Sequence, residues 1–176
     1  MIITLCMTMS ADGRIEGGSD WKSAEDQQLF RDEKSNIGTV IMGRKTYENI
    51  PRPITDTDSV RRIVITHSPE SFRAANTVES IEFTDENPTA LCARLEREGV
   101  SVALLVGGSY TAARFFQEGL VSRVLLTIEP VLLGEGLPLL SLPVSSTSLS
   151  LQSVTKLNTK GTLRLLYTVS YDRHTH

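Results

Sequence analysis

Cysteine is scarce in this chain of 176 residues: there are two, Cys6 and Cys92, far apart and outside any CxxC or CxxH spacing. Neither a disulfide framework nor a zinc site can be built on them, and they read as small buried hydrophobes. Histidine is also too sparse for a metal centre, since two of the three fall in the terminal HTH. A surplus of positive charge is missing too. The 18 Lys and Arg against 21 Asp and Glu leave a net charge of −3, which supports no nucleic-acid partner. No apolar run has the length to span a bilayer, and MIITLCMTMS carries neither a basic leader nor a cleavage pattern. The expectation is a cytoplasmic protein with no membrane partner. There is no internal repeat or low-complexity tract, so residues 1–176 read as one domain of ordinary globular composition, 40% hydrophobic and 22% charged.

What is present alternates. IITLCMTM reads as a strand, followed by the Gly- and Asp-rich loop SADGRIEGGSDWK and a helix from Ala24 to Ser35 with Ser23 as N-cap. TVIM is a short strand that stops at Gly43. RKTYENI begins a helix that the prolines at 51 and 53 end. RRIVIT and SIEF are strands, NPTALCARLEREG is a helix capped by Asn87 or Thr89, and SVALLV is a buried strand leading through Gly107-Gly108 into the helix SYTAARFFQEG. VSRVLLTIEP, SLQSVTKL and TLRLLYTVSYD follow as strands with no helix between them. This order predicts an α/β fold, its sheet mostly parallel, with an antiparallel C-terminal hairpin at one edge.

In open α/β sheets ligands bind beyond the carboxyl ends of the strands. At VIMGRKT, Gly43 allows a close turn, and Arg44, Lys45 and Thr46 open a helix whose free amides suit a phosphate. LLVGGSYT places Gly107 and Gly108 after a buried strand, with Ser109, Tyr110 and Thr111 in the first helical turn. IVITHS ends a strand at Thr66 and His67. Three such junctions together predict a cradle for a dinucleotide.

The stretch DWKSAEDQQLF holds three acids. Side chains three and four apart share a helix face, and from Asp26 those are Leu29 and Phe30, both apolar. Asp26 is therefore the acid drawn into an apolar wall, where a carboxylate needs a hydrogen bond or a ligand. In the plainer reading, Asp26 at the third helical position completes a capping box with Ser23. Glu25 points toward Gln28 as well as Leu29, and Asp20, in the loop before the helix, reads as solvated.

Trp21, Asp26 and Phe30 in the order W-x4-D-x3-F, VIMGRKTYENI, Arg52-Pro53, the VGG of Val106 to Gly108 and the LLT ending at Thr127 together resemble dihydrofolate reductase. LLTIEPVLLGEGLPLL and KLNTKGTLRLLYTVS are most similar to its dimeric, thermophilic branch. The same tract, with VGGSYTAARFFQEGL before it, also resembles the reductase domain of riboflavin biosynthesis, a cousin of the same fold. The resemblance implies a dihydrofolate-reductase-like three-layer fold and hydride transfer from NADPH to a C=N bond. Dihydrofolate is the first expected substrate and a ribosylaminopyrimidine phosphate the alternative. It further implies Asp26 on the amino-pyrimidine edge with Thr127 beside it, and Cys6, Met7, Trp21, Phe30, Ile50 and Val106 around the ring. Thr8, Ile15, Gly43 to Thr46, Thr66, His67 and Gly107 to Thr111 are implied for NADPH, with Arg44 and His67 near its 2′-phosphate. The loop from Ala11 to Trp21 would close over the nicotinamide.

Two positions depart from the folate pattern. The arginine expected on the folate tail is replaced by Val60, with Arg61 beside it, and the aromatic expected early in the helix after the double glycine is Ala112. No HxE or PCxxC deaminase motif accompanies the reductase pattern. A non-catalytic nucleotide-binding protein on the same fold is the reading from another class. Finally, VLLGEGLPLL is more apolar than a surface connection should be, which predicts a homodimer.

Overall fold

The computed structural model describes residues 1–15, 20–50, 54 and 59–171. The expected prolines 51 and 53, most of the ITDTDSV loop, the centre of the loop from Ala11 to Trp21 and the terminal HTH lie outside those residues.

The chain runs β1 (Ile2–Ser10), α1 (Ala24–Ile37), β2 (Thr39–Gly43), α2 (Arg44–Glu48), β3 (Arg61–Ile65), α3 (Pro69–Arg73), β4 (Ile81–Thr84), α4 (Pro88–Arg97), β5 (Val102–Leu105), α5 (Ser109–Gln117), β6 (Val121–Glu129), β7 (Thr147–Lys156) and β8 (Leu163–Tyr171). One eight-stranded sheet has the order β4-β3-β2-β5-β1-β6-β8-β7. β4 through β6 pair in parallel, and β6-β8 and β8-β7 are antiparallel, so the expected C-terminal hairpin forms one edge.

Alternation along each strand sends successive side chains to opposite faces. Ile3, Leu5, Ile41, Ile63, Ala103 and Leu105 pack with Leu91 and Leu95 of α4 and Phe115 of α5. Cys6, Val40, Met42, Val64 and Leu104 pack on the other face with Phe30 of α1, Tyr47 of α2 and Phe72 of α3. Helix, sheet and helix thus make three layers.

Several boundaries moved. α1 continues two residues past Ser35 until Gly38 takes a left-handed conformation (φ 75°) and its N–H closes on Lys34 O at 2.9 Å. α2 stops at Glu48, before the prolines act. Asn87, not Thr89, caps α4, accepting from Ala90 N at 2.8 Å. α3 was not expected. It starts on Pro69, whose missing N–H is harmless in a first turn, and Phe72 stacks on Phe83 with ring centroids 5.3 Å apart.

Candidate active site

Chain order and sheet order part company around β5. β1 leads into α1 on one face, whereas β5, inserted between β1 and β2, leads into α5 on the other. A crevice opens where neighbouring strands send their connections to opposite faces. The sequence-predicted residues gather there in two groups.

The first group surrounds Asp26. The side chain is only 4% exposed, and Oδ2 accepts a hydrogen bond from Thr8 Oγ1 at 2.7 Å. Thr8 lies opposite Thr127 in the β1–β6 register, so both hydroxyl-bearing side chains leave the same face, toward α1. Thr127 is 3% exposed. Thr8, expected at the cofactor, gives its hydroxyl to the acid. The capping box is only half made: Ser23 Oγ accepts from Asp26 N at 3.3 Å, but the Ser23 N–H goes to Glu129 Oε1 at 2.7 Å. Among the described residues the second carboxylate oxygen of Asp26 has no hydrogen-bond partner. Asp20 is exposed, as expected, and so is Glu25.

Around this acid, Cys6 is buried on the same face of β1, and burial pushes its thiol up to about 12 despite the opposing pull of Arg164. It is a packing residue with no nucleophilic character. Phe30, Ile50 and Val106 join the apolar cluster on that face. Met7 points the other way, against Gly107. Trp21 buries its Nε1 with no hydrogen-bond partner among the described residues.

Sequence reasoning missed Lys22. Its ammonium lies 5.4 Å from the Trp21 ring centroid, and burial lowers its pKa, partly offset by Asp26 and Glu129. Only its place directly before the N-cap could have drawn attention to it.

The second group is the pair of glycine junctions. Gly43 N donates to Gly107 O at 2.8 Å, which locks the end of β2 to the end of β5. A Cβ at Gly43 would collide with Thr111 Oγ1, and one at Gly108 would crowd Thr46 Oγ1 at 3.2 Å. The glycines let α2 and α5 start side by side. By helix geometry the first-turn amides of both have no intrahelical partner, so they form a double row of donors at one mouth. These amides, with Arg44, Lys45 and Thr46, fit the phosphates of a dinucleotide.

Some side chains at this mouth, Arg44 among them, are already engaged. Arg44 pairs with Glu48 at 2.8 Å, and Ser109 Oγ donates to Pro138 O at 2.5 Å. Thr66 is buried at the neighbouring β3 end, its Oγ1 accepting from Ser68 N at 3.3 Å, while His67 and Tyr110 are exposed.

Ile15 N donates to Leu137 O at 3.0 Å and Ala11 N to Val131 O at 2.8 Å, so the described part of the β1–α1 loop is tied to residues 131–138. Asp12 reinforces the tie. Its carboxylate accepts from Ser10 Oγ, Leu133 N and Gly134 N, and these bonds hold it down at about 2. The backbone of VLLGEGLPLL is thereby tied down and Leu139 and Leu140 lie against the core, while Leu132 and Leu137 stay exposed at 76% and 43%.

Arg61, the substitute for the folate-tail arginine, is held by Glu82 at 2.7 Å and Glu98 at 2.6 Å. Val60 beside it is 1% exposed. No helix among the described residues is long and apolar enough to cross a membrane.

Among curated relatives, the chain is 31% identical over 166 residues to the uncharacterized protein YwjB of Bacillus subtilis, covering 90% of this chain and 88% of that one. A pyrimidine reductase-like protein of Corynebacterium diphtheriae superposes with a TM-score of 0.75 at 16% identity, over 97% of this chain and 92% of that one. The Thermotoga maritima diaminohydroxyphosphoribosylaminopyrimidine deaminase/5-amino-6-(5-phosphoribosylamino)uracil reductase superposes at 0.74 and 15% identity, over 96% of this chain. The match takes up 56% of that longer protein. At such identities the superpositions speak to the fold. The sequence itself goes further: residues 1–163 match the model of the RibD C-terminal domain, and the chain belongs to that family.

Proposed function

We propose that the protein is an NADPH-dependent reductase of an aminopyrimidine, with a ribosylaminopyrimidine phosphate ahead of dihydrofolate as substrate. Reductase domains of the RibD type are oxidoreductases that use NADPH, which leaves the expected reaction class standing and reverses the expected order of substrates. The observation that carries the reading is the buried Asp26 carboxylate, hydrogen-bonded to Thr8 and beside Thr127, next to two interlocked glycine junctions. A carboxylate with a free oxygen accepts from the N–H groups of an aminopyrimidine edge. Thr127 offers a neighbouring hydroxyl, and Phe30, Ile50 and Val106 offer an apolar wall to the ring. The cofactor, when bound, supplies hydride. The chain's own part is to hold the two rings together, exclude water and fix the ring edge. Against folate stands Arg61, which two glutamates already hold.

The deciding experiment measures NADPH consumption side by side with dihydrofolate and the ribosylaminopyrimidine phosphate. Preferential turnover of the second is expected. Turnover of dihydrofolate alone would reject the substrate assignment, and turnover of neither would reject the reductase. In the same assay Arg44→Ala is expected to raise KM for NADPH by about tenfold and to leave NADH nearly unchanged, since a charge-assisted contact contributes roughly 1.5–3 kcal/mol. The parent contact competes with the Glu48 pair, which pulls the effect to the lower end.

A homodimer remains part of this reading, and a second apolar surface joins the exposed Leu132 and Leu137 of the stretch the sequence suggested. Leu149, Leu151 and Val154 of β7 are 46%, 54% and 56% exposed and share one face of the edge hairpin with Leu165 and Tyr167 of β8. An apolar sheet face of that kind suits a second copy. Light scattering is expected to give about twice the chain mass of 19.4 kDa for the parent, and the single-chain mass for Leu151→Asp. A single-chain mass for the parent would end the proposal.

A further inference from the structure

Glu129 takes no part in the binding scheme above, yet it is only 3% exposed. It lies two residues beyond Thr127 on β6 and so shares the face toward α1. A buried carboxylate is tolerated only when hydrogen bonds satisfy it. Oε1 accepts from Ser23 N at 2.7 Å, and Oε2 accepts from Thr162 Oγ1 at 2.6 Å. Thr162 is fully buried and held in turn by Asn158, whose Nδ2 donates to Thr162 Oγ1 at 2.9 Å and whose Oδ1 accepts from Thr162 N at 3.2 Å. The turn between β7 and β8 is thereby fastened to the start of α1.

The consequence falls on Asp26. Ser23 is the N-cap of α1, and Asp26 occupies the third helical position. An acid there ordinarily bends back to accept the N–H of the capping residue. That N–H is already taken by Glu129, so the Asp26 carboxylate has no such call on it and turns to Thr8 Oγ1 instead. We propose that Glu129 is a positioning residue: by occupying the Ser23 N–H it keeps the Asp26 carboxylate facing the crevice and not its own helix. The substrate side of this proposal rests on the aminopyrimidine reading, but the geometry does not.

The test compares Glu129→Met, which removes the acceptor, with Glu129→Gln, which keeps one for Ser23 N–H and gives up the charge. Binding of a free diaminopyrimidine is read by the fluorescence of Trp21, the single tryptophan of the chain. Glu129→Met is expected to weaken diaminopyrimidine binding by about tenfold or more, as the loss of one oriented carboxylate contact implies. NADPH binding should stay within about twofold, and Glu129→Gln should stay near the parent.

The crystal structure of ligand-free Glu129→Met should show the Asp26 carboxylate accepting from Ser23 N. If Glu129→Met does not fold, Thr162→Val, with Thr162→Ser as its rescue, is expected to shift diaminopyrimidine binding in the same direction. The proposal is overturned if Asp26 still faces Thr8 in the Glu129→Met structure. It is also overturned if Glu129→Gln is as damaged as Glu129→Met, or if cofactor and diaminopyrimidine binding fall together. A parent that binds no diaminopyrimidine and reduces neither substrate would instead sink the aminopyrimidine reading, and the variant structure would still decide the positioning role.

Discussion

Asp26→Asn is expected to lower turnover by about two orders of magnitude or more while the protein stays folded. The acid supplies a fixed negative charge to the ring edge, and electrostatic and acid–base contributions of this kind are each about 10²-fold. Asparagine keeps the shape and one acceptor for Thr8 Oγ1. The cap of α1 survives as well, because Ser23 Oγ bonds the backbone N–H of residue 26, which the substitution leaves in place. Burying an amide in place of a carboxylate also carries a smaller desolvation cost. Glu25→Gln and Asp20→Asn, both at exposed positions, are expected to stay within a few-fold of the parent. The measurements are kcat for the three variants, NADPH affinity by fluorescence and the melting temperature. Near-parent activity in Asp26→Asn, or a loss that merely follows unfolding, would reduce Asp26 to a structural partner of Thr8.

Gly43→Ala should be nearly as damaging, through the cofactor. The added methyl enters the space of Thr111 Oγ1, and the backbone around it is fixed by the bond from Gly43 N to Gly107 O. Threonine can clear the clash in only one of its three staggered χ1 positions, because its branched Cβ carries two heavy atoms. Overpacking of this kind costs roughly 1–3 kcal/mol, which corresponds to about 5- to 150-fold in NADPH affinity if the junctions separate. Thr111→Ala on the same chain removes the colliding oxygen and leaves Thr111's former Cβ position at an ordinary 3.5 Å. The double variant should therefore recover most of the affinity, a coupling expected only of groups in contact. If Gly43→Ala binds NADPH as tightly as the parent, the two junctions do not define the cofactor mouth.

The order and type of the main elements could be read from periodicity, because each buried strand is a short apolar run closed by Gly, Pro or a capping residue. The C-terminal hairpin was legible for the same reason. α3 was not: PESFR has no repeat long enough to display a helical face, and its single anchor, Phe72, stacks on a β4 residue eleven positions away. Asp26 could be found because its i+3 and i+4 neighbours are apolar, a property of the local chain. Glu129 and Lys22 could not, since their burial depends on the turn at 157–162 and on the packing of Trp21. The folate expectation weakened for a similar reason. Nothing near Arg61 in sequence reveals that Glu82 and Glu98 hold it. The backbone ties of residues 131–138 were not legible because their partner, the Asp12 turn, is more than a hundred positions earlier.

The placement of β5 has a consequence for how the chain is assembled in time. Its partners are set far back in the sequence, Ile2 opposite Val102 and Val40 opposite Leu104. Pairings of such long separation are entropically late and slow to form. The junction at Gly43 has no neighbour to interlock with until β5 slides between β2 and β1, so a nascent chain shorter than about its first 110 residues has only half a nucleotide mouth. A nucleotide added during refolding then binds only molecules that have completed this insertion. At a concentration of 100 times its dissociation constant it stabilises them by about 2.7 kcal/mol. The cofactor acts as a ratchet on the insertion of β5, holding in place a strand whose partners lie far back in the chain.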